Sequence, residues 1–154
     1  MRVFRICQSQ HASAAFTGDG AVLYPGRWHR RGVRVVYASE SRALAALEQL
    51  VHVHRSRLPD DFVCFVVEIP EEIAIREVPI QTLPPEWRRH PAPPELQEIG
   101  SSWATAGDSV CLKVPSAVVP GEHNVLLNPR HADFPRLAIG QAEPFSFDER
   151  LRNP

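Results

Sequence analysis

The sequence predicts an α+β fold, a compact single domain of short mixed strands with a few helices. Three observations carry that expectation. Runs rich in β-branched and aromatic residues, such as 33–38 and 62–67, are short and bounded by turn formers. One stretch, 40–54, has apolar residues at clear helical spacing. Strands and helices do not alternate regularly, as a parallel sheet with crossover helices would require. A chain of 154 residues, 44% hydrophobic and 23% charged, is long enough to close one core, so residues 1–154 are read as one domain.

Residues 3–7 read as a first strand. The polar segment after it ends at Thr17-Gly18-Asp19-Gly20, turn chemistry that predicts a loop as far as Arg31. Val33 to Ala38 is a buried strand, and Ser39 offers an N-cap to the helix that follows. In that helix, from Glu40 to about His54, Leu44, Leu47, Val51 and His54 recur on one face, with Ala43 and Ala46 as helix formers beside them. Phe62 to Val67 is a continuous apolar strand, ended by Pro70. The alternation from Ile73 to Val78 predicts another strand, and Pro84, Pro85, Pro91, Pro93 and Pro94 predict stiff connections. Glu95 to Ala106 reads as a helix or half-helix around Ile99 and Trp103, weakened by Gly100. Val110 to Val114 and Val125 to Leu127 are strand candidates kept short by Pro115, Pro120 and Pro129; Leu137 to Ile139 and Pro144 to Phe147 complete the tail.

Composition excludes several classes of function. Seventeen Lys plus Arg against eighteen Asp plus Glu give a formal charge of -1, which supplies no broad field for nucleic acid or an anionic membrane. Lys113 is the only lysine, so the cations are arginines, which suit bidentate phosphate recognition. Cys7, Cys64 and Cys111 are odd in number and far apart, which fits neither a disulfide framework nor a metal-ligand pair and points to a reducing cytoplasm. The N-terminus lacks an apolar signal core, and no apolar run is long enough to span a bilayer. His52 and His54 project to different sides of a helix, and His123 and His131 lie in a loop-rich region, so no metal site is expected. There is no Gly-x-Ser-x-Gly elbow, phosphate-cradling Gly-Lys-Ser/Thr loop or dinucleotide-binding glycine fingerprint.

Four positions stand out locally, each with an ordinary structural alternative. Arg27, beside Gly26, could approach a phosphate closely, or could be a surface arginine stacked on Trp28. Glu48 interrupts the apolar face of the first helix between Leu47 and Leu50; it could meet a sugar hydroxyl or developing positive charge, or pair with His52. Tyr37 could place its ring against a flat ligand or belong to the core. Ser116 sits between Pro115 and Pro120, which fix the direction of its hydroxyl without making it a nucleophile.

Together, Gly26-Arg27-Trp28, Val36-Tyr37-Ala38-Ser39, Leu44 to Glu48, Val114-Pro115-Ser116, Asn124 to Pro129 and the tail Pro144 to Arg150 resemble the RES domain family, toxins of RES-Xre toxin-antitoxin systems. The resemblance spans nearly the whole chain. It implies a fold similar to ADP-ribosyltransferase catalytic domains and an enzyme that depletes NAD by hydrolysis or phosphorolysis. It implies Arg27, Tyr37, Glu48 and Ser116 as catalytic, and Arg27, Trp28, Tyr37, Ser116 and Asn124 as NAD-binding, with no metal. It further implies a cognate Xre-like antitoxin, no direct nucleic-acid binding of the toxin's own, a possible homo-oligomer and a cytoplasmic location. One position departs: His29 stands where relatives usually have asparagine after Gly-Arg-Trp.

In that reading Glu48 stabilises an oxocarbenium-like ribose, Arg27 holds the diphosphate, and Tyr37 and Ser116 orient the nicotinamide-ribose end. Two rivals remain open at this point: an ADP-ribosyltransferase acting on a macromolecule, and a non-enzymatic module binding nucleic acid or a partner through Arg27, Arg30 and Arg31.

Overall fold

A sheet of eight strands runs through the molecule. The structure is a computed structural model that describes residues 1–53 and 58–151. The strands are β1 (Arg2–Gln8), β2 (Val36–Ser39), β3 (Phe62–Glu68), β4 (Ile75–Glu77), β5 (Cys111–Pro115), β6 (His123–Leu127), β7 (Ala138–Ile139) and β8 (Glu143–Phe145). They lie in the order β4-β5-β6-β2-β1-β3-β7, and β8 also pairs with β3. Every pairing is antiparallel except that of β4 with β5. The helices α1 (Asp19–Leu23), α2 (Arg42–Leu50) and α3 (Pro94–Ala106) complete the α+β architecture that the sequence predicts.

Side chains of successive strand residues point to opposite faces, and this sorts the core. Val3, Val36, Ala38, Val67, Val125 and Leu127 gather on one face. On the other face two separate clusters form. Leu112, Val114 and Leu126 pack with Trp28, Leu96 and Trp103 beneath α3. Ile6, Phe62 and Cys64 pack with Ala45 of α2 and with Phe147. A cleft lies between these two clusters.

Local differences from the sequence reading have identifiable causes. The loop expected before Arg31 contains α1, because Gly18 takes a left-handed φ of 73° and turns the chain directly into a helix. Helix α2 is capped by Ser41, whose Oγ accepts from Leu44 N at 3.0 Å; Ser39 stays in β2, opposite Asn124 of β6. The helix ends at Leu50, and the expected extension to His54 reaches outside the described residues. Helix α3 forms without a break at Gly100. It starts with Pro94 in its first turn and stops at Gly107, where φ is 67°.

Candidate active site

The cleft originates in a break in strand pairing. β1 pairs with β3 from Arg2↔Glu68 to Gln8↔Phe62 but meets β2 only at Phe4↔Ser39. Arg5 reaches across the opening, its Nη1 donating to the Tyr37 carbonyl at 2.8 Å. A cleft of about 930 Å³ lies there, within the range of small-molecule sites. Arg27, Trp28, Tyr37, Glu48, Arg88 and Asn124 are among its lining residues, so the structure brings together five positions that the sequence singled out and adds Arg88.

Glu48 is placed by two elements at once. Ser41 caps α2 and donates to Glu122 at 3.0 Å, while Glu40 accepts from the His123 backbone N–H at 2.8 Å, so the start of the helix is tied to the start of β6. Almost two turns later the Glu48 carboxylate arrives over the same strand. Its Oε1 accepts from Asn124 Nδ2 at 2.6 Å and from Ser116 Oγ at 3.0 Å. Ser116 Oγ itself accepts the Val118 and Val119 backbone N–H groups at 3.0 and 3.1 Å, which commits its own hydrogen to Glu48. Asn124 is oriented in the same way, its Oδ1 accepting from Ser39 Oγ at 2.7 Å. Both bonds fall on one oxygen. Among the described residues Oε2 has no hydrogen-bond partner and is left to whatever enters the cleft.

The opposite wall is the 26–30 loop, clamped by one face of α3. Gln97 Nε2 donates to the Gly26 carbonyl at 3.0 Å, and Ser101 Oγ accepts the Arg30 N–H at 2.9 Å. Between them Gly100 lets the helix rest on the loop backbone: a Cβ there would stand 1.8 Å from the Trp28 carbonyl oxygen. Gly26 is equally constrained, since a Cβ would come within 2.7 Å of both the His29 ring and the Tyr37 hydroxyl.

Arg27 projects from this loop and is aimed by backbone carbonyls rather than by an acid. Its Nη1 donates to Trp87 O at 2.6 Å, and both terminal nitrogens reach Arg89 O at 3.2 Å. Burial lowers its pKa, an effect opposed by the negative charge of Glu48. Arg88 donates to the Ala117 carbonyl through Nε and Nη2 at 3.3 and 3.0 Å. Most described arginines outside the cleft are ion-paired, for example Arg2 with Glu68, Arg42 with Glu143 and Arg150 with Asp148. Arg5, Arg27 and Arg88 line the cleft and form no ion pair among the described residues.

The remaining positions differ in detail from the sequence reading. Ser116 is 2% exposed and does not line the cleft; its hydroxyl is spent on Glu48 instead of facing a ligand. Asn124 lines the cleft, but its carboxamide is likewise engaged, between Ser39 and Glu48. Trp28, also 2% exposed, belongs to the core beneath α3 and gives the site a backbone N–H, donated to the Tyr37 hydroxyl at 3.2 Å. The sequence alternative of a Glu48–His52 pair is not realised among the described ion pairs. Arg5, Arg88 and Gln97 were not anticipated. A signal existed only for Arg5, a charge within an otherwise apolar strand.

The architecture matches that of a chain in the crystal structure of the Mycobacterium tuberculosis MbcT-MbcA toxin-antitoxin complex, with a TM-score of 0.76 over 99% of this chain and 89% of that one. At 14% identity this likeness concerns the fold alone. The sequence profile of the RES domain family matches residues 2–148, and the chain belongs to that family. It is 39% identical to Toxin Res of Yersinia enterocolitica over 99% of its own length and 100% of that protein's. It is 38% identical to the Prs ADP-ribosylating toxin of Sphingobium sp., over 88% of its own length and 85% of that protein's.

Proposed function

We propose that this protein is the toxin of a toxin-antitoxin pair and that it cleaves the nicotinamide-ribose bond of NAD. The observation that carries the proposal is the charge layout of the cleft: one braced carboxylate, Glu48, facing a space whose other charged lining side chains include three arginines without acid partners. NAD has a matching layout, with a cationic nicotinamide ring and ribose at one end and an anionic diphosphate in the middle.

As the bond breaks, nicotinamide departs as a neutral molecule with the bonding electron pair, and positive charge develops on the ribose. The free oxygen of Glu48 faces that charge, or the ribose hydroxyls, in a partly desolvated cleft where fixed charges act strongly. Water then bonds to the ribose carbon and releases its proton to solvent, or inorganic phosphate bonds in its place. Ser116 and Asn124 are positioning residues that hold the carboxylate still. Tyr37 offers a ring face to the nicotinamide-ribose end, and Arg27 with Arg88 holds the diphosphate.

The test is incubation of the purified protein with NAD, with and without phosphate, followed by product identification. Free nicotinamide with ADP-ribose is expected, or with an ADP-ribose phosphate when phosphate is the acceptor; intact NAD after prolonged incubation would refute the proposal. A second reading, ADP-ribosylation of a macromolecule, is favoured by the name of the Sphingobium relative and by the shared chemistry of the bond-breaking step. Label transferred from NAD to protein or nucleic acid would identify it.

The arginine assignment yields its own prediction. Losing the charge-assisted bonds of Arg27 in Arg27→Ala is expected to raise the KM for NAD about 10- to 100-fold. Arg88→Ala, at a more exposed position, is expected to raise it several-fold. Steady-state kinetics check both, and a loss confined to kcat in either variant would contradict the assignment. An Xre-like antitoxin is the proposed partner, blocking the cleft.

A further inference from the structure

His29 is 3% exposed and is bonded through both ring nitrogens. Nε2 lies 3.0 Å from the Tyr24 carbonyl and 3.2 Å from the Ala21 carbonyl. Carbonyl oxygens only accept, so Nε2 carries a proton. Nδ1 lies 2.8 Å from the Tyr37 hydroxyl, which already accepts the Trp28 N–H. A neutral ring therefore leaves Nδ1 bare to accept the hydroxyl hydrogen of Tyr37, and every polar atom in the group is satisfied.

We propose that His29 is the positioning residue for Tyr37, acting as a neutral imidazole with its proton on Nε2, so that its protonation uncouples Tyr37 and weakens the cleft for NAD. This rests on the reading above that Tyr37 meets the nicotinamide-ribose end. Protonating Nδ1 would turn that nitrogen into a donor and leave the Tyr37 hydroxyl accepting twice, with its own hydrogen lacking an acceptor within the group. The hydroxyl then has to swing, and the ring and the Gly26–Trp28 loop move with it, because Gly26 leaves no slack.

Nothing charged nearby rescues the imidazolium. On the surrounding elements, Asp19 of α1 is paired with Arg34, and Glu98 of α3 is paired with Arg30. Glu48 of α2 is held by Ser116 and Asn124, and Arg27, next to Trp28 in the loop, is itself cationic. Burial holds the His29 pKa below its ordinary value, partly offset by the two carbonyl bonds. The folded chain thus disfavours the charged ring. The stabilising contribution of neutral His29 is complete above the unfolded-state pKa of about 6.5 and declines as pH falls from there toward the folded value.

Three measurements decide the matter. Imidazole ¹⁵N spectra of the full chain at neutral pH are expected to show His29 protonated at Nε2 and bare at Nδ1, with a midpoint below 6.5. The kcat/KM for NAD is expected to fall on the acid side with that same midpoint. His29→Ala is expected to lower neutral-pH kcat/KM at least tenfold, mostly through KM. His29→Asn, whose carboxamide can also accept at one atom and donate at the other, is expected to restore most of it and to remove the acid limb. A proton on Nδ1 at neutral pH, or an acid limb retained in His29→Asn, would overturn the proposal. If the wild type consumed no NAD, the reading of the cleft would fall, while the ¹⁵N spectra and the pH dependence of the melting temperature would still decide the His29 bond.

Discussion

Glu48→Gln is expected to keep the fold and the affinity for NAD and to reduce turnover about 10²- to 10³-fold or more, the usual cost of deleting a fixed electrostatic contact to a transition state. The substitution isolates charge. The glutamine oxygen can still accept from Ser116 and Asn124, which meet Glu48 through a single oxygen, so the brace survives while the second oxygen becomes an uncharged amide. Ground-state binding relies on the arginines, whereas positive charge on the ribose appears only as the bond breaks. The loss therefore belongs in kcat rather than in Kd. Nicotinamide release under single-turnover conditions, combined with calorimetric binding of NAD, separates the two. Unchanged turnover in a folded variant would remove Glu48 from the chemistry.

The second large effect is on stability and falls outside the cleft. Gly100→Ala would gain up to about 1 kcal/mol of intrinsic helix propensity in the middle of α3. Against this, the added methyl would stand 1.8 Å from the Trp28 carbonyl oxygen, a backbone atom that cannot rotate away. Overpacking of this kind costs about 1–3 kcal/mol, and so severe an approach belongs at the upper end. The steric term wins. The net loss of about 2 kcal/mol is expected to lower the melting temperature by about 4–8 °C in thermal unfolding followed by circular dichroism, given about 2–4 °C per kcal/mol for a chain of this size. The NAD KM should rise as well, because the displaced helix carries Gln97 and Ser101, which clamp the arginine loop. An unchanged or higher melting temperature would show that α3 does not rest on Trp28.

These two residues also mark where sequence reasoning reached and where it stopped. The strand-rich pattern, the helix around Leu44, and the blocks containing Arg27, Tyr37, Glu48, Ser116 and Asn124 were legible because periodicity and motif order are local properties of the chain. Gly100 was read as a weakness in a helix, since propensity cannot register a carbonyl supplied from 72 residues earlier in the sequence. Ser116 and Asn124 were legible as positions but not as roles. Their hydroxyl and carboxamide could face a ligand or a neighbouring side chain, and only the packing of α2 over β6 directs them to Glu48.

The amino-acid sequence by itself determined the α+β class, because apolar patterning and capping residues fix which segments become strands or helices, and the order of its motif blocks carried the resemblance to the RES family and pointed to Arg27, Tyr37 and Glu48. Tertiary structure alone decided which of those side chains face the opening and which stand behind it. It set the parting of β1 from β2, the single oxygen through which Glu48 is braced, the carbonyls that aim Arg27 and the tautomer of His29. Each of these depends on hydrogen-bond partners remote in sequence, whose directions exist only once the sheet has closed.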